Sequence, residues 1–459
     1  MSLRRRPWTP DAVQALQDAF RAVYPSMTDE EFALEILRVA PRTLYLWRTR
    51  PKTRLREGTQ QALDRTLADA PAAIQSHFRS LIPLGLNHSS QAGALVTSGP
   101  SPTAYSTNLD GALAALGSLA DPSSGPAVYR PEDLAEAVLD WLTSAIGQPV
   151  TADGARVTSG NVEQVRATIS ALDTIERRIG GAGCRETATR YLHDVALPLL
   201  HQDVESNART DLFSAVAELC EVVGWMYYDA GQHGVAQSYF TQALRLTREV
   251  GDDALSAYLM TSITHQALHV GEARSALRVA KAARSVAESA DSPHVLVEAD
   301  LLVARSHAAL GQVGDATAAL QRAEQSYELR ESAGPRSWEP QWDDVMFASH
   351  AGTCWNDVGN TAEARRLLTH VWEASEDRPR RRIYSAAELG IAAVREGELE
   401  LACQHANDIV ALKGSVDSNR TREHLDRLTS RLRPFLSTRV VREFFDTNGI
   451  DANTEGATR

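Results

Sequence analysis

Cysteine is scarce in this sequence: four in 459 residues, at positions 184, 220, 354 and 403. None forms a C-x-x-C pair, which argues against a zinc knuckle and a disulfide framework and fits a reducing compartment. The cytoplasm is the expected location. Long apolar runs are missing too. No stretch approaches the roughly 18 residues that would suggest a membrane span, so no membrane partner is expected. The basic start, "MSLRRRPWTP", is followed by no apolar segment and is not read as a secretory signal. Strand patterning is absent, and with it the setting for a phosphate loop or a nucleophile elbow. One pair of imidazoles, in "HQALH" at 265–269, has the i, i+4 spacing of a helical zinc pair. Gln266 stands where a general-base Glu belongs, and no third ligand is evident. No catalytic residue, metal site or cofactor is expected, and the chain is not read as an enzyme.

What is present is an uneven charge. The whole chain carries −12, yet residues 1–80 hold 13 Lys+Arg against 9 Asp+Glu, a net of +4. The remainder is then 34 against 50, a net of −16. The basic excess concentrates in "PRTLYLWRTRPKTRLR", residues 41–56, with six basic residues and no acid. A basic head on an acidic body points to a polyanion that meets the head alone.

The head reads as short helices. Thr9 and Pro10 open the first, with Val13, Leu16 and Phe20 on one face. Thr28 and Glu31 form a capping box for the second. Leu44 and Trp47 share a face of the third, and "GTQQALDRTLADA" supplies a fourth. Residues 84–128 are rich in Gly, Ser, Pro and Thr and read as a linker, with room for a short helix at 110–119.

Beyond residue 130 the sequence is helical and repetitive. Five glycines each precede an alanine by five residues: Gly231/Ala236, Gly271/Ala276, Gly311/Ala316, Gly359/Ala364 and Gly397/Ala402. The spacing predicts hairpins in which a left-handed glycine ends one helix and the alanine admits the next at close range. The expected fold is all-α: a small N-terminal domain over 1–83, a linker over 84–128, an α-solenoid with capping helices over 129–449, and a tail over 450–459.

Two resemblances sharpen this reading. "GWMYYDAGQHGVAQSYFTQAL" has Gly224, Tyr227, Ala236, Phe240 and Ala243 at the spacing of tetratricopeptide (TPR) repeats, and Gly352 and Gly390 partly repeat it. Resemblance to that family implies a functional concave face on the first helix of each hairpin. Projected here, it carries Trp225, Tyr228, His265, His269, Arg305, His350 and Asn356, a set suited to a peptide or a polar small molecule. His265 and His269 are expected to titrate near physiological pH.

"EEFALEILRVAPRTLYLWRTRP" resembles the helix-turn-helix of phage-repressor-like (XRE-type) regulators, with Phe32-Ala33, Val39, Leu44 and Trp47 at its packing positions. The resemblance implies that Arg42, Thr43 and Tyr45 approach base edges while Arg48, Arg50, Lys52 and Arg54 meet phosphates of double-stranded DNA. The combination resembles a class of actinobacterial transcriptional regulators and is similar in layout to peptide-pheromone receptors. It implies a homodimeric DNA-binding regulator whose body dimerises or senses an effector. The alternative is a protein-binding adaptor without DNA specificity.

Overall fold

A computed structural model describes residues 103–119, 127–147, 157–179, 183–205, 207–330, 334–336, 338–340, 342–412, 414 and 419–451, with scattered positions between 13 and 67. The chain divides into two compact units, Met1–Thr97 and Ser98–Arg459. In the first, Val13, Leu16, Phe20, Phe32, Ala33, Leu37, Leu44 and Leu63 form one apolar core, against which Ile36, Val39 and Leu67 pack. The rings of Phe20 and Phe32 meet edge-on at 5.5 Å.

The second unit is all-helical among its described residues, apart from an isolated bridge between Val157 and Val204. Before the regular repeats come α1 (Leu109–Leu119), α2 (Pro131–Thr143), α3 (Ser159–Ile179) and α4 (Arg185–Tyr191), the last continuing through a π-helical turn (Leu192–Ala196) and a short helical turn (Leu197–Leu199). Five hairpins follow: α5 (Arg209–Asp229) with α6 (His233–Val250), α7 (Asp253–His269) with α8 (Ala273–Ser289), and α9 (Pro293–Ala309) with α10 (Val313–Leu329). The last two pair α11 (Asp344–Asp357) with α12 (Thr361–Glu373), and α13 (Pro379–Glu396) with α14 (Leu399–Leu412). Two more helices, α15 (Asn419–Leu432) and α16 (Arg439–Asn448), complete the unit.

The hairpin turns follow the expected chemistry. Gly231, Gly271, Gly311, Gly359 and Gly397 all have positive φ, between 71° and 88°. After each, the next residue's amide donates back to a carbonyl five residues earlier, as in Gln232 to Tyr227 and Glu398 to Ala393, both at 2.9 Å. That bond satisfies a carbonyl the helix would otherwise leave open. Ala236, Ala276, Ala316, Ala364 and Ala402 are fully buried where the second helix begins. Side chains also set the starts: Asp252, Asp343 and Asn360 accept from amides of the first turn, and Pro131, Pro293 and Pro379 occupy it.

Two turns between hairpins use the same device, through Gly251 and through Asp291, the one non-glycine residue with positive φ among those described. The wider interval between Gly311 and Gly359 accommodates a connection that docks back on the array. Its Trp342 is buried and donates to the carbonyl of His294 at 2.8 Å.

Part of the stretch read as a linker belongs to the body. Tyr105, Leu113 and Leu116 join its core, Gln242 donates to the carbonyl of Ala104 at 2.7 Å, and Thr103 donates to Asp133 at 2.6 Å. Small-residue composition concealed a few apolar anchors. Ahead of the regular hairpins, Cys184 is buried at the start of α4.

Three glycines inside helices mark close approaches between one helix and another. A β-carbon on Gly224 would lie 2.5 Å from the ring of Phe240, one on Gly352 2.8 Å from Leu368, and one on Gly390 2.6 Å from Leu428. Gly224→Ala should therefore destabilise the body by about 1–3 kcal/mol, the cost of overpacking. Gly314→Ala, where the added carbon meets nothing within 4 Å, should instead stabilise it by about 0.5–1 kcal/mol. Urea unfolding compares the two, and equal midpoints would show that α5 and α6 do not pack this closely.

Candidate functional site

The first helices of successive hairpins turn polar and aromatic side chains toward one inner face. From α5 come Glu221, Trp225 and Tyr228. Trp225 Nε1 donates to Ser262 Oγ at 3.2 Å, and that hydroxyl donates to Glu221 Oε1 at 2.7 Å, tying α5 to α7. On α7, His265 lies 5.6 Å from the Trp225 ring, and His269 lies 5.2 Å from Tyr228. From α9, Glu298 Oε1 meets His265 Nε2 at 2.8 Å. On α11, His350 lies 5.7 Å from His265. The i, i+4 spacing that suggested a zinc pair thus serves two separate contacts, since His269 Nε2 lies 2.7 Å from Glu423 Oε2 as an ion pair.

That last contact belongs to α15, a helix the sequence suggested only as a cap. Arg420 stands over the rings of Tyr228, Tyr384 and Trp225, at 4.9, 5.3 and 5.4 Å from their centroids. His424 stacks on Tyr384 at 4.4 Å, and Arg427 pairs with Glu388 of α13. The chain's own C-terminal region therefore lies along the inner face. The signal was available: Arg420, His424, Arg427 and Arg431 recur at helical spacing beside an apolar row of Leu425, Leu428 and Leu432.

Comparison with protein-family models and with curated proteins finds no match for this chain. The site is read from its own geometry. Of the seven inner-face residues expected from the sequence, five lie in ring contact: Trp225, Tyr228, His265, His269 and His350. The charge of Arg305 acts on His265 and His350. Asn356 does not join them. Its amide donates to the Glu388 carbonyl and carboxylate at 2.9 and 2.8 Å and accepts from Arg395 at 3.2 Å, so it fastens α11 to α13. Among the described residues, no group of three or more His, Cys, Asp or Glu side chains gathers as a metal site. No helix among them is long and apolar enough to cross a membrane. Arg42, Thr43, Tyr45, Arg48, Arg50, Lys52 and Arg54, the expected DNA contacts, lie outside the described residues.

Burial reverses the expected titration. The His265 imidazole is held well below the usual histidine range, first by burial and then by the cations Arg305 and Arg420. His350 falls to about 3 through burial, with His265 and Arg305 adding to it. His424 falls to about 3 through burial and the charges of Arg420, His269 and Arg305. These three rings are neutral at physiological pH. The groups poised near neutrality are carboxyls: burial lifts Glu298 to about 7 and Glu221 to about 8.

Glu298 binds its proton more tightly in the fold than in the unfolded chain. Its contribution to stability is complete below about pH 4.5 and is lost as pH rises through about 7. The depressed histidines act in the other direction, losing their contribution as pH falls below about 6.5. Glu298→Gln removes the carboxyl component alone. Its stability relative to wild type should rise by about 1–3 kcal/mol between pH 5 and pH 8. Denaturant unfolding at the two pH values measures this, and a constant difference would mean that Glu298 ionises in the fold as it does in water.

Proposed function

We propose that this protein is a DNA-binding transcriptional regulator, with a helix-turn-helix head and a TPR-like body that senses an effector. The observation that carries the DNA reading is the packing of the head. Phe32, Ala33 and Leu44 are buried in its core and Val39 packs against it, matching the positions such a motif reserves for contact between its helices. In such a motif the second helix offers its outer faces to DNA, and the sequence places Arg42, Thr43 and Tyr45 around Leu44. The confined +4 charge of residues 1–80 supplies attraction to phosphate, while the −16 body is repelled.

The body supports the sensing half of the proposal. Its inner face collects aromatic, imidazole and cationic groups in one place, where packing alone would favour apolar ones. Such a sensor works only if its effector prefers one of two arrangements of the protein; equal affinity for both would shift nothing. A homodimer is the natural unit, since a single head contacts one half-site and two-fold proteins read paired half-sites about one helical turn apart.

Binding of the full-length chain to genomic duplex fragments tests the head directly. Arg42→Ala should relax base preference by about 1–3 kcal/mol, while Lys52→Ala should weaken all duplexes alike and flatten the salt dependence. Binding by both variants indistinguishable from wild type would remove the head as reader. Absence of any salt-dependent duplex binding would favour the adaptor reading.

A further inference from the structure

Two apolar cores of the body share no residue. One runs from Tyr105 to Ala299 and includes side chains of α5 and α7, and the other runs from Ile383 to Phe445 and includes those of α13 and α15. Leu425, Leu428 and Leu432 seat α15 in the second core beside Ile383 and Ala387 of α13. Leu428 comes so near that helix that a β-carbon on Gly390 would lie 2.6 Å from it. Toward α5 and α7, α15 sends polar groups instead. Glu423 pairs with His269 at 2.7 Å, and Arg420 reaches the rings of Trp225 and Tyr228. Nearby, Asp229 at the end of α5 lies 3.8 Å from Arg380 at the start of α13. The first hairpins and the last thus meet across a seam of polar and aromatic contacts. Polar groups recover water when they part and apolar ones do not, so this seam is where the body opens at least cost.

What the seam recognises is visible in the group that fills it. The guanidinium of Arg420 has three rings around it: Tyr228 and Trp225 of α5, at 4.9 and 5.4 Å, and Tyr384 of α13, at 5.3 Å. The two rings from α5 stand 5.0 Å apart and tilted to each other. All three belong to the hairpins and none to α15, whose leucines already dock it. We propose that this aromatic cage is a binding site for a guanidinium group, the side chain of an arginine-bearing ligand, and that Arg420 holds the place while α15 closes the seam. A guanidinium from outside takes the rings, Arg420 withdraws, and the seam loses the contact that joins α5 to α13 through α15.

The same occupancy gives the ligand its leverage. In the closed arrangement the cage is filled, so the ligand binds the open one alone, and that difference in affinity is what shifts the equilibrium. The chemistry favours arginine over lysine. A guanidinium is planar and weakly hydrated and stacks on aromatic faces, whereas an ammonium is a strongly hydrated point charge. The assignment rests on the reading of the inner face as the sensing surface and names the ligand class for it; DNA binding plays no part in it.

Calorimetric titration of the full-length protein, without DNA, with N-acetyl-L-arginine methylamide and with N-acetyl-L-lysine methylamide tests it. Arg420→Ala empties the cage and should bind the arginine probe about tenfold or more tighter than wild type does. Adding Tyr384→Leu to that variant should abolish the gain, and the lysine probe should gain little. Glu423→Gln loosens the seam from outside the cage. It should also tighten the arginine probe, and it carries the comparison if Arg420→Ala does not fold. Arginine binding no tighter in these variants than in wild type, an equal gain for the lysine probe, or a gain that survives Tyr384→Leu would overturn the proposal. Failure of the sensing reading looks different: cell extract would then leave wild-type DNA binding unchanged, whatever the probes do.

Discussion

Close approach between helices is the constraint on which the body depends. Ala236, Ala276, Ala316, Ala364 and Ala402 are fully buried at the points where second helices begin, and Gly224, Gly352 and Gly390 leave no room for even a methyl group. Helices that pack this tightly must also reverse direction within two or three residues. The left-handed glycines make that possible, with the back-donated hydrogen bond after each one closing the helix end. Repetition of one small device therefore sets the spacing of the whole array.

A consequence of that regular spacing is an inner face on which first helices lie side by side. The polar groups there are held by each other across hairpins: Glu221 by Ser262, His265 by Glu298, His269 by Glu423. Withdrawal from water makes these bonds stronger and their absence more costly. It also explains why His265, His350 and His424 are neutral while Glu221 and Glu298 hold their protons toward neutral pH.

The hairpins were legible in the sequence because the requirement for glycine and alanine is local. A left-handed turn and a tight contact each demand a particular residue type at a fixed interval. Periodicity likewise assigns a face, and the ring contacts among Trp225, Tyr228, His265, His269 and His350 follow it. The exception, Asn356, sits at the end of α11 where it meets the next hairpin, and only tertiary contact decides its partners. The role of α15 was not legible, because a helix that caps an array and one that lies along its inner face share the same apolar row. Nor were the anchors at 103–116, where Tyr105, Leu113 and Leu116 are outnumbered by small residues typical of linkers.

The aromatic end of the inner face, with Tyr228, Tyr384 and His269, depends on α15 lying against α5. Coupling between Tyr228 and Arg420 measures that arrangement most directly, through a double-mutant cycle of Tyr228→Leu and Arg420→Met in denaturant unfolding. The geometry, with the guanidinium 4.9 Å from the ring centroid, predicts a favourable coupling of about 0.5–2 kcal/mol. Additive effects with no coupling would contradict it, and α15 would then have to lie elsewhere on the body.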